Sequence, residues 1–199
     1  LERIRRDGVP NYFGEQRFGH QDNNFRRAAA WLNGEGEAPR KSSLRGLWLS
    51  AVRSRLFNDV LAERERLGVW NQLLDGDLLQ PEGSRGLFRE QDEPLAAQRI
   101  TSGEVHPTAP LPGAGGMASS SACAELEQRV LAPYQVLIEA LAKEGVEGAR
   151  RATRLPVSDL HWQLDGSILT LSFSLPAGAF ATTVLATFLD WNEHVANSE

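Results

Sequence analysis

Twelve residues, Gly8 to Gly19, gather three glycines, a proline, three aromatics and an arginine in the order Gly-Val-Pro-Asn-Tyr-Phe-Gly-Glu-Gln-Arg-Phe-Gly. Such a composition does not fill a core. Glycine lets a backbone take positive φ or approach another group closely, and Pro10 holds Val9 extended, so the segment reads as a shaped loop whose side chains form a surface. Tyr12, Phe13 and Phe18 offer flat faces for stacking on a nucleobase. Arg17 offers a forked donor for phosphate, and Asn11 and Gln16 carry amides able to read base edges. The competing reading is a tightly packed turn between elements.

Other candidates are weaker. Asp75-Gly76-Asp77 could be catalytic or metal-binding, but paired acids flanking a glycine are more often turn formers. His20, His106, His161 and His194 are scattered without ligand spacing, so no metal site is expected, and no Gly-rich phosphate loop ending in Lys-Ser/Thr is present. His106 opens the rigid stretch His106-Pro107-Thr108 before Pro110 to Gly113, and is counted as a candidate substrate contact. Cys123, in Ser-Ala-Cys-Ala-Glu, reads as a small helix side chain rather than a nucleophile. A single cysteine excludes an internal disulfide and fits a reducing compartment, so a cytoplasmic location is expected.

The 199 residues carry a net charge of -5, with 41% hydrophobic residues, enough to bury a sizeable core. No apolar run approaches the roughly 18 residues that span a bilayer, and the first residues lack the order of a signal peptide, so no membrane partner is expected. The charge is unevenly placed: residues 1 to 55 carry 11 Lys+Arg against 6 Asp+Glu, and the remainder 10 against 20. A localised basic face on an acidic protein suits a structured RNA held at one cleft.

The elements that must position the loop follow from periodicity and capping. Leu1 to Arg6 reads as the end of a helix stopped by Asp7-Gly8. Asp22 or Asn23 caps a helix through Leu32 with Gly34 past its end, and Gly34 to Lys41 is a polar linker. The longest helix opens at Ser42 or Ser43 and runs to about Leu67, with Leu44, Leu47, Ala51 and Val52 on its buried stripe. Arg45, Arg53 and Arg55 fall largely outside that stripe, as phosphate contacts or as a solvated basic face. Val69 to Gly116 reads as short strands and loops. Ser119 to Ser121 caps a helix through about Leu131, and Pro133 starts another carrying Val136, Leu137, Ala140 and Leu141. His161 to Leu164, the turn Asp165-Gly166 and Ser167 to Ser174 form a hairpin with Leu169, Leu171, Phe173 and Leu175 on one face. A last helix runs from about Ala179 to Trp191. The fold class is α+β.

The loop also resembles the signature of the tRNA pseudouridine synthase D (TruD) family. Four further segments match that family in the same order: Arg45 to Asn58, Ile100 to Gly113, Glu147 to Trp162 and Leu175 to Thr182. The resemblance implies a catalytic domain of pseudouridine synthase fold interrupted by an inserted domain peculiar to the family. Residues 1–7 would end a catalytic-domain element, 8–151 would be the inserted domain, and 152–199 the returning strands and helix of the catalytic domain. It implies a reaction without cofactor or metal on a tRNA partner. A uridine of the D-stem region, position 13 in tRNA numbering, is flipped out and attacked by an aspartate; its glycosidic bond breaks, and the base rotates and is rejoined through carbon.

The family's aspartate lies in a Gly-x-Lys-Asp context upstream of the signature loop, and none of Asp22, Asp59, Asp75, Asp77, Asp92, Asp159, Asp165 or Asp190 has that context. No catalytic residue is therefore carried over, the catalytic segment is expected N-terminal to these residues in the same protein, and the 199 residues alone are expected to be inert. Pro176 to Thr182 matches the family loop whose aromatic packs on the target base, which maps to Phe180. An aromatic between a strand and a helix, after Pro and Gly, is also physically well placed to stack on an extruded base. Where the family often continues with Arg-Glu, Ala186-Thr187 stand here. The alternatives are a non-catalytic RNA-binding domain acting as a tRNA-folding chaperone, or a protein-interaction domain with buried aromatics.

Overall fold

A computed structural model of the chain describes residues 1–116 and 118–189. Its central element is the 25-residue helix α3 (Ser42–Arg66), which supplies buried residues to two of the core clusters. Leu56 and Phe57 are both fully buried but feed different clusters. Val52 and Leu56 meet helices α2 (Asn23–Leu32) and α6 (Gln135–Lys143), while Phe57, Val60 and Leu61 meet Trp70, Ala109 and Leu126. Gly68, at φ 74°, follows the helix end, as glycine does past many helix C-termini.

An antiparallel sheet of three strands lies beside α3, in the order β2 (Leu79–Pro81), β3 (Val105–Leu111) and β4 (Ala149–Ala152). After Thr153 the chain changes partner: β5 (Arg154–Leu155) leaves that sheet and pairs with β1 (Val9–Pro10), the first residues of the signature loop. Gly8, just after helix α1 (Glu2–Asp7), sits at φ 68°, and a β-carbon there would fall 2.4 Å from the Leu155 carbonyl oxygen, so only glycine admits this close approach. The hairpin of β6 (Ser158–Asp165) and β7 (Ile168–Ser174) and the short helix α7 (Ala181–Leu185) complete a third layer around Ile4, Val9, Leu155, Val157, Leu160 and Val184.

The structure differs from the sequence reading at five places. Helix α4 (Glu93–Ser102) interrupts the stretch read as strands and loops; Asp92 accepts from the Leu95 amide at 2.9 Å, Pro94 sits in the first turn and Gly103 ends it at φ 81°. Asp22 does not cap α2 with its side chain, because it sits in the left-handed region and its carboxylate takes Arg55 at 3.4 Å. Leu47, read as buried, is 39% exposed, and Trp48 takes the inward position instead. A 3-10 turn, Ala132–Tyr134, holds Pro133 ahead of α6, preceded by α5 (Ser121–Leu131). The last helix is α7 in the described residues, and Asp190, Trp191 and His194 lie outside them.

In the hairpin Leu171 and Phe173 are half-buried, and Phe173 packs on the third layer. The exposed apolar side chains are instead Leu164 and Ile168 at the turn, each 68% exposed, with Leu169 beside them. A two-stranded ribbon whose outer edges find no strand among the described residues is marginal in water and invites pairing. A polypeptide of residues 1–199 is therefore expected to self-associate, and Leu164→Lys with Ile168→Lys to reduce it. Sedimentation velocity checks this, and a monodisperse monomer with slow amide exchange over β6 and β7 would contradict it.

Candidate nucleic-acid interface

The signature loop is held by residues far from it in sequence. The Asn58 amide clamps Phe13 on both sides of its peptide, accepting from the Phe13 amide and donating to its carbonyl, each at 2.9 Å. The Phe13 ring packs edge-on to Phe57 at 5.5 Å. Asn11 donates to the Ala152 carbonyl at 2.8 Å, and its backbone amide donates to the Thr153 carbonyl. The loop thus lies along the segment where β4 passes into β5.

Between the loop, α3 and α7 runs a groove of about 940 Å³, within the range of small-molecule sites. Tyr12, Phe13 and Gln16 form one wall, Asn58 and Asp59 lie on the floor, and Thr182 with Thr183 line the opposite wall. Its charge is acidic. Glu15, Asp22, Asp59 and Glu65 line it against Arg55 alone, and Arg55 is shared between Asp22 at 3.4 Å and Asp59 at 3.1 Å. Tyr12 donates to Glu65 at 2.6 Å, and burial together with that carboxylate pushes its phenol well up, so Tyr12 stays protonated.

The structure brings some of the sequence-read residues to this groove and not others. Gln16 is exposed on its wall, and Phe18 lines it while remaining only 6% exposed, so most of its ring is covered by protein. Arg17 lies beside the wall, donating to Ser50 Oγ at 3.1 Å with its guanidinium 5.4 Å from the Phe13 ring centre. Phe180 stands half-buried at the N-cap of α7; its neighbour Ala179 packs on the third-layer core, and Phe180 is not part of that packing.

Three candidates are engaged by the protein itself. Asn11 is 7% exposed with its amide occupied as above. Arg53 donates to three carbonyls, of Leu111 at 3.1 Å, Pro112 at 3.0 Å and Glu147 at 2.8 Å, so it ties the end of β3 to the start of β4 rather than meeting phosphate or solvent. His106 is 3% exposed within β3, bonded to Glu82 at 2.5 Å, and its burial lowers the ring's proton affinity. These positions differ from the sequence reading because a polar side chain near a loop can equally satisfy buried backbone.

Sequence reasoning missed Arg151 and Asn58. Arg150 and Arg151 are neighbours on β4, so their side chains leave on opposite faces. Arg150 turns inward to Glu127 and Thr108, and Arg151 turns to the loop, donating to Asn11 Oδ1 at 2.5 Å with its guanidinium 4.3 Å from the Phe13 ring centre. The signal was the alternation along a strand of two adjacent arginines.

Residues 39–188 match the sequence profile of the family described as tRNA pseudouridine synthase D (TruD). Relatives named tRNA pseudouridine synthase D include one from Aeromonas hydrophila, 45% identical over 97% of this chain and 54% of its own length. Another, from Nitrosococcus oceani, is 42% identical over 98% of this chain and 55% of its own length. The chain thus spans about half the length of the curated relatives it matches. A crystal structure described as tRNA pseudouridine synthase D (TruD) from Methanosarcina mazei superposes with a TM-score of 0.79 at 20% identity, covering 96% of this chain and 63% of its own, which shows a common fold. With the profile matching residues 39–188, most of its length, the chain belongs to the tRNA pseudouridine synthase D (TruD) family.

Proposed function

We propose that the protein containing these residues isomerises uridine 13 of tRNA to pseudouridine in the cytoplasm, and that the groove beside the signature loop receives the flipped nucleotide. The observation that carries this is the groove itself, walled by the loop on one side and by Thr182 and Thr183 of α7 on the other; Phe180 begins that helix two residues before Thr182 and is not itself a lining residue. In this reading residues 8–151 form the inserted domain and 152–199 return to the catalytic domain, which places the groove at their junction. The attacking aspartate comes from outside these 199 residues.

Each side chain then has a physical task. Phe180 stacks on the extruded base and offsets part of the cost of unstacking it, and Gln16 is free to read its edge. Tyr12, held protonated with its single O–H given to Glu65, offers a bound nucleotide only an acceptor oxygen and is not a base. The carboxylates along the groove exclude the phosphate backbone from its floor, so the base enters and the backbone stays outside.

In the full-length protein, Phe180→Ala is expected to lower the rate of pseudouridine formation at saturating tRNA by about tenfold or more, from the roughly 1–3 kcal/mol that a base–aromatic stack is worth. Phe180→Tyr should retain most of it. The melting temperature should change little, since Phe180 lies outside the packed cores. A full-rate Phe180→Ala enzyme would remove this residue from the site, and tRNA binding with no pseudouridine formed by the wild type would favour a binding module instead.

A further inference from the structure

Arg17 and Arg151 share one aromatic ring and no carboxylate. Both guanidinium carbons lie within 5.4 Å of the Phe13 ring centre, and among the described residues neither takes part in an ion pair. The other arginines around the loop differ: Arg55 has two carboxylates, and Arg53 three carbonyls. Arg151 keeps its Nε buried without a partner, and its single hydrogen bond to a side chain goes to a neutral amide. Burial, and after it the charge of Arg17, push Arg151 down to about 10, so it still carries its proton at neutral pH. Two charged forks share the Phe13 ring, both half-buried, and Arg17 is near enough for its charge to act on Arg151, while among the described residues no carboxylate pairs with either. Such an arrangement is costly unless an anion completes it.

The surroundings select the anion. Phe13 faces the groove, whereas neither arginine lines it. The groove's carboxylates repel phosphate, and the two cations sit against Phe13, a lining residue, without lining the groove themselves. We propose that Arg17 and Arg151 form a cradle for one oxyanion, a backbone phosphate of the bound tRNA, so that the flipped nucleotide straddles Phe13 with its base in the groove and its phosphate on the arginine pair. Arg151 then acts as a positioning residue: it fixes the nucleotide's register through the backbone without reading the base. This inference rests on the tRNA reading given above. A carboxylate from the remainder of the polypeptide is the other source of the same chemistry, and the test separates the two.

The experiment measures tRNA affinity of the full-length protein across a range of salt for the wild type, Arg17→Gln, Arg151→Gln, Arg151→Lys and the double Gln variant, alongside thermal melts of the free proteins. Each Gln substitution is expected to make the slope of log affinity against log salt shallower by about 0.7–0.9, the double variant by about twice that, and Arg151→Lys to keep the wild-type slope. Melting of free Arg151→Gln should stay level or rise, because an uncompensated charge is removed. Arg17→Gln gives the same reading even if Arg151→Gln folds poorly, since its side chain is only half-buried. Unchanged slopes overturn the proposal, and unchanged slopes with a lowered melting point for Arg151→Gln assign the cradle to a carboxylate of the protein. A wild type that forms pseudouridine with such variants leaves the enzymatic reading standing, whereas a wild type without affinity for tRNA overturns both.

Discussion

Asp77→Ala is expected to destabilise the protein by roughly 3–5 kcal/mol, because it strands a fully buried guanidinium. Arg64 and Asp77 both have side chains with no exposure, and they form two parallel bonds of 2.8 Å. Asp77 also accepts from the Leu74 amide at 2.8 Å, closing the turn read from Asp75-Gly76-Asp77, so the turn reading holds and the carboxylate has a second task. Around the pair, the single S–H of Cys123 has two carboxylate acceptors within reach, Asp77 at 3.1 Å and Glu127 at 3.3 Å, and Glu127 continues to Arg150. Burial pushes the Cys123 thiol well up, which keeps it a donor. Replacing both charges, as Arg64→Met with Asp77→Leu, should recover most of the loss, since a matched apolar pair avoids the desolvation that an unpaired charge incurs. Urea unfolding of the wild type, Arg64→Met, Asp77→Leu and the double variant gives the coupling. A loss below about 1 kcal/mol for Asp77→Ala would mean that water reaches Arg64.

The second large effect is all-or-none. Residues 1–199 alone are expected to form no pseudouridine in tRNA, although they contain the groove, Phe180 and both arginines of the proposed cradle. No aspartate among them stands in the Gly-x-Lys-Asp context, and those lining the groove, Asp22 and Asp59, are occupied by Arg55. Glycosidic cleavage needs a free nucleophile at the sugar or base, and binding alone does not supply one. Measurable turnover by this polypeptide would place a nucleophile within it.

How far the fold could be read in advance depended on how local each determinant was. α3 was legible at both ends because serine opens it, Gly68 follows it, and a long periodic stripe lies between. α4 was missed because Gly, Pro and acidic residues dominate its neighbourhood, although Asp92, Pro94 and Gly103 are a start and a stop at the right spacing. The site was harder, because residue type tells what a side chain can bond and not what stands opposite it. Arg53 meets carbonyls 58, 59 and 94 residues away, and Asn11 one that is 141 residues away, so only the assembled fold decides between protein and ligand. The same non-locality hid Arg151, whose place behind Phe13 depends on β4 passing the loop. The place of Phe180 at the start of a helix was legible from its neighbours, since Pro176 and Gly178 mark the junction before it, whereas what its ring meets was not.

The most direct test of the account is to incubate the full-length protein with an unmodified tRNA transcript, map pseudouridine at single-nucleotide resolution, and repeat this with the upstream Gly-x-Lys-Asp aspartate changed to alanine. The expected result is one new pseudouridine, at position 13, absent from the variant although the variant still binds the tRNA. A transcript that is bound by the wild type and keeps uridine at position 13 would contradict it.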